Sequence, residues 1–285
     1  MPLNPKEVDL EQQEDGDMIW TDADMLLTNT ENYDGNKTMQ PQNNTIFYTA
    51  LAKQNPKKWL DYVEGEKYVI PYSLSNNYSL RDKKMIRTSM DEIEKYTCII
   101  FKERTKQDNY IFVSDSGVGC FSYVGRLGGK QQIQLSAGRR ETCMTKRIVA
   151  HELLHVVGLY HEHMRNDRDD YIKINFDNIR EGSENQFLKI DGAMVSNYDV
   201  SYDYKSIMHY GKSFFAKNPT LVTIEPKNIT FLDVIGHNVY PSPNDYAQVC
   251  LMYECKKCDK SSGSSIKFSF LLLTISINMM FLGIK

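Results

Sequence analysis

His151-Glu152-Leu-Leu-His155-Val-Val-Gly158-Leu-Tyr-His161-Glu162 is the stretch from which the rest of the chain can be read. On a helix, His151 and His155 lie about one turn apart on the same face. Both imidazoles can then reach a single ion at the ~2.0–2.1 Å that zinc requires. Glu152 follows the first of them and cannot share its direction, so it faces water beside the metal rather than the metal itself. Gly158 tolerates φ > 0, which lets the helix end and the chain turn sharply. That turn brings His161 round as a third ligand, which a straight helix could not do. Three protein ligands leave a position for water, the mark of a catalytic rather than a structural zinc site. Zinc lowers the pKa of such a water to ~7, so Glu152 can take its proton as it attacks a peptide carbonyl. Two histidines on one helix face are more often merely packed or solvated. Five fixed positions of rare residue types arise by chance on the order of once in 10⁴ chains or less.

Outward from this motif, the helix is predicted from Lys146 to Val157. Upstream, Tyr68-Val-Ile-Pro-Tyr72 reads as a strand. The segment from Lys83 to Tyr96 has helical apolar spacing through Met85, Ile86, Met90 and Ile93. Cys98-Ile-Ile-Phe101 and Tyr110-Ile-Phe-Val113 read as short buried strands, and residues 117–129 as a glycine-rich turn region. Gln131-Gln-Ile-Gln-Leu135 alternates as an exposed edge strand would. After Gly158 the pattern is irregular until a terminal helix from Pro243 to Tyr253. Strands, then a helix, then mostly loop imply an α+β fold. Ser206-Ile-Met208-His209-Tyr210 would most often be core packing, but beside the long histidine motif it has the content of a Met-turn beneath a zinc site.

Composition narrows the class only slightly. A formal net charge of −3 over 285 residues gives no global field for nucleic acid, which is not expected as a partner. The six cysteines and the sequons at Asn36, Asn43, Asn77 and Asn228 favour an oxidising, extracellular setting. Cys255-Lys-Lys-Cys258 has zinc-clip or redox spacing, but no second pair completes a four-cysteine site. No apolar signal follows Met1, so the sequence is read as lacking its original N-terminus. Residues 1–50 are acidic and weakly periodic, the texture of a loosely ordered leader. At the other end, Lys260-Ser-Ser-Gly-Ser-Ser265 precedes an apolar run, Ile266 to Ile284. That pattern fits a GPI-attachment signal, a short membrane-spanning helix or a buried C-terminal helix, with membrane attachment favoured.

The chain resembles the astacin-type zinc metalloendopeptidases, within the metzincins. The resemblance runs from about residue 58 to 255 through Val69-Ile-Pro-Tyr72, Thr97-Cys98-Ile, Gly119-Cys120-Phe-Ser-Tyr-Val-Gly125, Arg165-Asn-Asp-Arg-Asp-Asp170, Ile174-Asn-Phe-Asp-Asn-Ile179, Tyr202-Asp-Tyr204 and Ser206-Ile-Met-His-Tyr-Gly211. It implies a two-lobed catalytic domain. The N-terminal lobe would hold a twisted sheet with antiparallel edges and two long helices; the C-terminal lobe would be irregular, with a terminal helix. The implied organisation is a propeptide-like leader over 1–57, a catalytic domain over 58–258, and a spacer with hydrophobic tail over 259–285.

By the same resemblance, one Zn²⁺ would be bound by His151, His155, His161 and Tyr210, with Glu152 as base. Tyr210 would swing away to stabilise the developing oxyanion. Glu162 would receive the mature N-terminus, and the strand Gln131–Leu135 would line the rim where an extended polypeptide substrate adds. Cys120 would pair with Cys143 and Cys98 with Cys255, leaving Cys250 and Cys258 to pair together or remain thiols. A zymogen aspartate is expected at Asp17 or Asp24, although Glu14 stands where the family has Phe, and Arg147 stands where it commonly has Gly. The implied function is an extracellular zinc-dependent endopeptidase, secreted or anchored at the cell surface. The alternative is a catalytically inactive binding module on the same scaffold, which loss of a ligand or the base would have favoured.

Overall fold

The computed structural model describes residues 25–26, 50–116, 119–138, 142–190, 195–256 and 258. Its first long helix, α1 (Leu80–Tyr96), begins at a capping box. The Ser79 hydroxyl accepts from the Asp82 N–H at 3.2 Å, and the Asp82 carboxylate accepts from the Ser79 N–H at 3.2 Å. These contacts start the helix three residues before the expected Lys83. Its apolar stripe, Ile86, Met90 and Ile93, is fully buried.

A seven-stranded sheet lies against this helix. Its strands are β1 (Met25–Leu26), β3 (Val63–Glu64), β4 (Lys67–Leu74), β5 (Ile99–Glu103), β6 (Tyr110–Ser114), β7 (Cys120–Tyr123) and β8 (Lys130–Leu135). β4 pairs in parallel with β5 and β6, and β6 in parallel with β8. β3 runs antiparallel to β4 and β7 antiparallel to β8, as expected of the flanks, whereas β1 beyond β7 joins the sheet in parallel.

One expectation is overturned. Gln131–Leu135 lies in β8, which is bonded on both sides and is not the sheet edge. The alternating glutamines look solvent-facing in sequence, but Gln131 and Gln134 are buried. The Gln131 amide accepts from the Leu127 N–H at 2.9 Å and donates to the Gly125 carbonyl at 2.9 Å. It pins the preceding turn instead of facing water. The strand beyond it is β7, whose outer side is met in parallel by the short leader strand β1, with Met25 opposite Ser122 and Leu26 opposite Tyr123.

The second long helix, α2 (Lys146–Val157), has the predicted bounds. Thr145 caps its start by accepting from the Ile148 N–H. Its last carbonyls, orphaned by the helix end, are satisfied by side chains: Trp59 Nε1 donates to Val156 O at 2.8 Å and the Tyr253 hydroxyl to Val157 O at 2.9 Å. β2 (Ala50–Leu51) is fully buried beside the helix end, pairs with β10 (Val195–Ser196), and donates the Leu51 N–H to Gly158 O.

Past Gly158 lies a second, smaller core of Ile172, Ile179, Phe187, Tyr202, Tyr210, Ile224 and Ile235. Its only extended pairing among the described residues is β9 (Ile172–Ile174) with β11 (Ile224–Pro226). The terminal helix α3 (Pro243–Met252) packs back on the first core. Three disulfides join these parts: Cys98–Cys255 and Cys120–Cys143, as the resemblance implies, and Cys250–Cys258 rather than two thiols. No helix among the described residues is long and apolar enough to cross a membrane. The tail 259–285 lies outside them.

Candidate zinc and peptidase site

Gly158 makes the site possible. Its φ of +128° is a conformation that side chains with a Cβ rarely adopt. A Cβ there would stand 2.9 Å from Leu51 Cδ1 and 3.0 Å from Met252 Sδ. The N–H of Gly158 closes the helix onto Leu154 and His155, and the chain reverses at once toward His161.

The three imidazoles converge as predicted. His151, His155 and His161 are buried, and their nearest ring nitrogens lie within 4.8 Å of one another. His161 Nε2 stands 3.2 Å from His155 Nε2 and 3.3 Å from His151 Nε2. Two donors on a tetrahedral ion with bonds of ~2.0–2.1 Å are separated by about 3.3 Å, so the spacing fits zinc. The tautomers agree. His151 Nδ1 donates to Ile207 O at 2.9 Å and His155 Nδ1 to Leu159 O at 2.7 Å. A carbonyl can only accept, so each neutral ring keeps its lone pair on Nε2. Lone pairs facing one another at this distance in a buried site repel unless a cation lies between them. The donor set therefore fits one zinc ion.

Glu152 is fully buried, and its Oε2 accepts from the Ser122 hydroxyl at 2.7 Å. Met208 is buried, with its carbonyl accepting from the Glu162 N–H at 3.0 Å. Tyr210 is buried too, its ring centroid 4.4 Å from that of His161 and 4.0 Å from that of His163. Glu162 is not a solvated surface acid. Its carboxylate is buried, accepting from Arg165 Nη1 at 3.0 Å and from the Asp203 N–H at 2.8 Å. Asp17 and Asp24 lie outside the described residues.

Several parts of the site have no signal in the motif itself. His163 is buried, its Nε2 bonded to Gln186 O at 2.9 Å, and burial holds its pKa well below the ordinary value. His209 is pushed down to about 4, first by burial, although its bond to Tyr210 O opposes the shift. Both imidazoles are therefore neutral at ordinary pH, His163 stacked on the Tyr210 ring and His209 packed against Tyr202. Asp245 accepts from Ser206 Oγ at 2.6 Å and from the Ile207 N–H at 3.1 Å, and so anchors the Met-turn to α3. Ser122 stands in the quoted Gly119–Gly125 stretch, but only the folded register brings it to Glu152.

The family model for the astacin peptidases matches residues 52–254, which include every residue of this site. The chain belongs to the astacin family. It is 39% identical over 216 residues to the zinc metalloproteinase nas-5 of Caenorhabditis elegans, covering 75% of this chain and 59% of that protein. It is 41% identical over 199 residues to bone morphogenetic protein 1 of Xenopus laevis, covering 68% of this chain and 27% of that one. The chain thus spans less than two thirds of these relatives' length. Its fold matches high choriolytic enzyme 1, a hatching-enzyme zinc protease of Oryzias latipes, with a TM-score of 0.64 and 35% identity, covering 70% of this chain and 95% of that one. Residues 52–254 are accordingly a zinc metalloendopeptidase domain of the astacin type, in the α+β metzincin fold.

Proposed function

We propose that this protein is an extracellular endopeptidase, made as a zymogen, which hydrolyses internal bonds of polypeptides with Glu152 as general base. The observation that carries the reading is the buried Glu152 carboxylate, one residue along α2 from a three-imidazole centre whose spacing suits one zinc ion. Zinc, when bound by His151, His155 and His161, supplies a Lewis acid that lowers the pKa of water and polarises a carbonyl. Glu152 takes the proton of the attacking water and delivers it to the amine nitrogen as the C–N bond breaks. Tyr210, a fourth candidate ligand, donates its phenol O–H to the oxyanion that develops on the carbonyl. An extended substrate adds antiparallel to β7.

The zymogen reading draws support from β1, whose parallel pairing with β7 covers that edge with leader backbone of the opposite polarity. The catalytic domain is best started at or before Ala50 rather than at residue 58, since Ala50 and Leu51 are buried against the end of α2. Three disulfides, and sequons at the exposed Asn77 and Asn228, favour an extracellular setting, with the tail 259–285 as a membrane attachment.

The test is cleavage of a denatured protein by the full chain after limited proteolysis of its leader, with Glu152→Ala as control. Cleavage by the parent and none by the control supports the reading. Equal cleavage by both removes Glu152 as the base, and cleavage by neither favours the inactive binding module.

A further inference from the structure

We infer that Ser122 is a positioning residue that couples occupancy of the β7 edge to the orientation of the catalytic base. The inference rests on the reading of Glu152 as base. Ser122 is fully buried on the inward face of β7. Its hydroxyl donates to Glu152 Oε2 at 2.7 Å, with the Glu152 carbonyl oxygen at 3.1 Å as a second, longer acceptor. A hydroxyl has one proton, and the charged acceptor at the shorter distance holds it.

That bond does something packing cannot. A carboxylate on a glutamate stem is free to rotate about its terminal torsion, which is broad and roughly two-fold. Fixing Oε2 fixes the plane of the carboxylate and hence the direction of Oε1. A base works only when its oxygen lies within hydrogen-bond reach of the proton it removes, and small displacements cost rate steeply.

The backbone of the same residue lies at the side of β7 that β1 meets, opposite Met25. The ladder between β7 and β8 pairs Cys120 with Leu135 and Phe121 with Gln134, and goes no further. Ser122 and Tyr123 are instead the two residues opposite the leader strand β1. The backbone of Ser122 is therefore ordered by whatever extended segment lies on this edge, while its side chain holds the base. A substrate long enough to pair at Ser122 and Tyr123 firms the hydroxyl that aims Glu152. Binding energy from residues remote from the scissile bond then appears in kcat rather than only in KM.

The experiment uses the full chain, leader removed by limited proteolysis and zinc content measured, with a short peptide and one extended to cover the β7 edge. In the parent, extension raises kcat. Ser122→Ala lowers kcat on the extended peptide by about 10–100-fold, leaves KM within about threefold, and abolishes the gain with length. Ser122→Thr, which keeps the hydroxyl, restores most of the loss. Zinc stoichiometry and the thermal midpoint of both variants stay near the parent's. Parental kcat in Ser122→Ala overturns the proposal. So does an equal fall in Ser122→Thr with zinc retained, which also decides the matter if the alanine variant does not fold. Parental cleavage by Glu152→Gln is a different failure: it removes the base itself, and the role of Ser122 with it.

Discussion

Fifty-six residues separate His151 from Ile207, yet His151 Nδ1 donates to the Ile207 carbonyl at 2.9 Å. The metal-facing side of the ring is thus aimed by the backbone of the Met-turn. That turn is in turn held from the far end of the domain, where Asp245 of α3 accepts from Ser206 Oγ, the Ile207 N–H and the Ser242 N–H. A chain of hydrogen bonds therefore runs from the terminal helix to a zinc ligand, and such outer partners tune metal affinity. Asp245→Ala should lower zinc affinity about 10–100-fold, read by competition with a chelator of known affinity.

Asp245 also makes stability depend on pH. Burial raises its pKa to about 6, with repulsion from Asp203 adding to this and its three hydrogen bonds opposing it. A folded pKa above the unfolded value of about 3.9 means the folded state holds the proton more tightly. Its contribution is fully present below about pH 4 and is lost as pH rises through about 6. It should remove about 3 kcal/mol across that window. By denaturant unfolding, the unfolding free energy of the parent should fall between pH 4 and pH 7 by about 3 kcal/mol more than that of Asp245→Asn.

At Gly158, φ of +128° and the closeness of Leu51 and Met252 act together. Gly158→Ala should destabilise the domain by about 3 kcal/mol, combining backbone strain with an overpacked contact. Because the bend delivers His161, the same variant should lose zinc more readily on dialysis. An alanine variant of parental stability would mean that the bend is not required.

How much of this can be read without the fold follows from how local each contact is. The bounds of α2 and the meeting of three histidines are local, fixed by helical pitch and one glycine, and they read off directly. The start of α1 lies earlier than its apolar spacing indicates because the Ser79–Asp82 box extends the helix into a polar stretch that looks like loop. Gln131–Leu135 is not the sheet edge: β7 and then β1 lie beyond it, and Gln131 and Gln134 are polar yet buried. An alternation of polar and apolar residues does not reveal which polar ones find partners inside. Ser122 with Glu152, and Asp245 with Ile207, are contacts across 30 and 38 residues that exist only once the sheet register and α3 are in place.

The disulfides should differ in worth. Cys98–Cys255 spans 157 residues and Cys250–Cys258 only 8. Loop-closure entropy then gives about 5 kcal/mol for the first and about 2.5 for the second. Serine pairs at each site, compared by denaturant unfolding, should keep that order.

Tyr210→Phe removes only the phenol oxygen from a ring packed against His161 and His163. Loss of a donor to a developing oxyanion should lower kcat on the order of 100-fold. KM and bound zinc should be little changed. Unaltered kcat would remove Tyr210 from the chemistry.

The most direct measurement is metal content of the purified full chain after gel filtration, by mass spectrometry of the elements. One zinc per chain is expected in the parent and in Glu152→Gln, and none in a variant carrying both His155→Ala and His161→Ala. A parent chain that holds no zinc, or a double variant that keeps it, would contradict the assignment of these imidazoles as the metal centre.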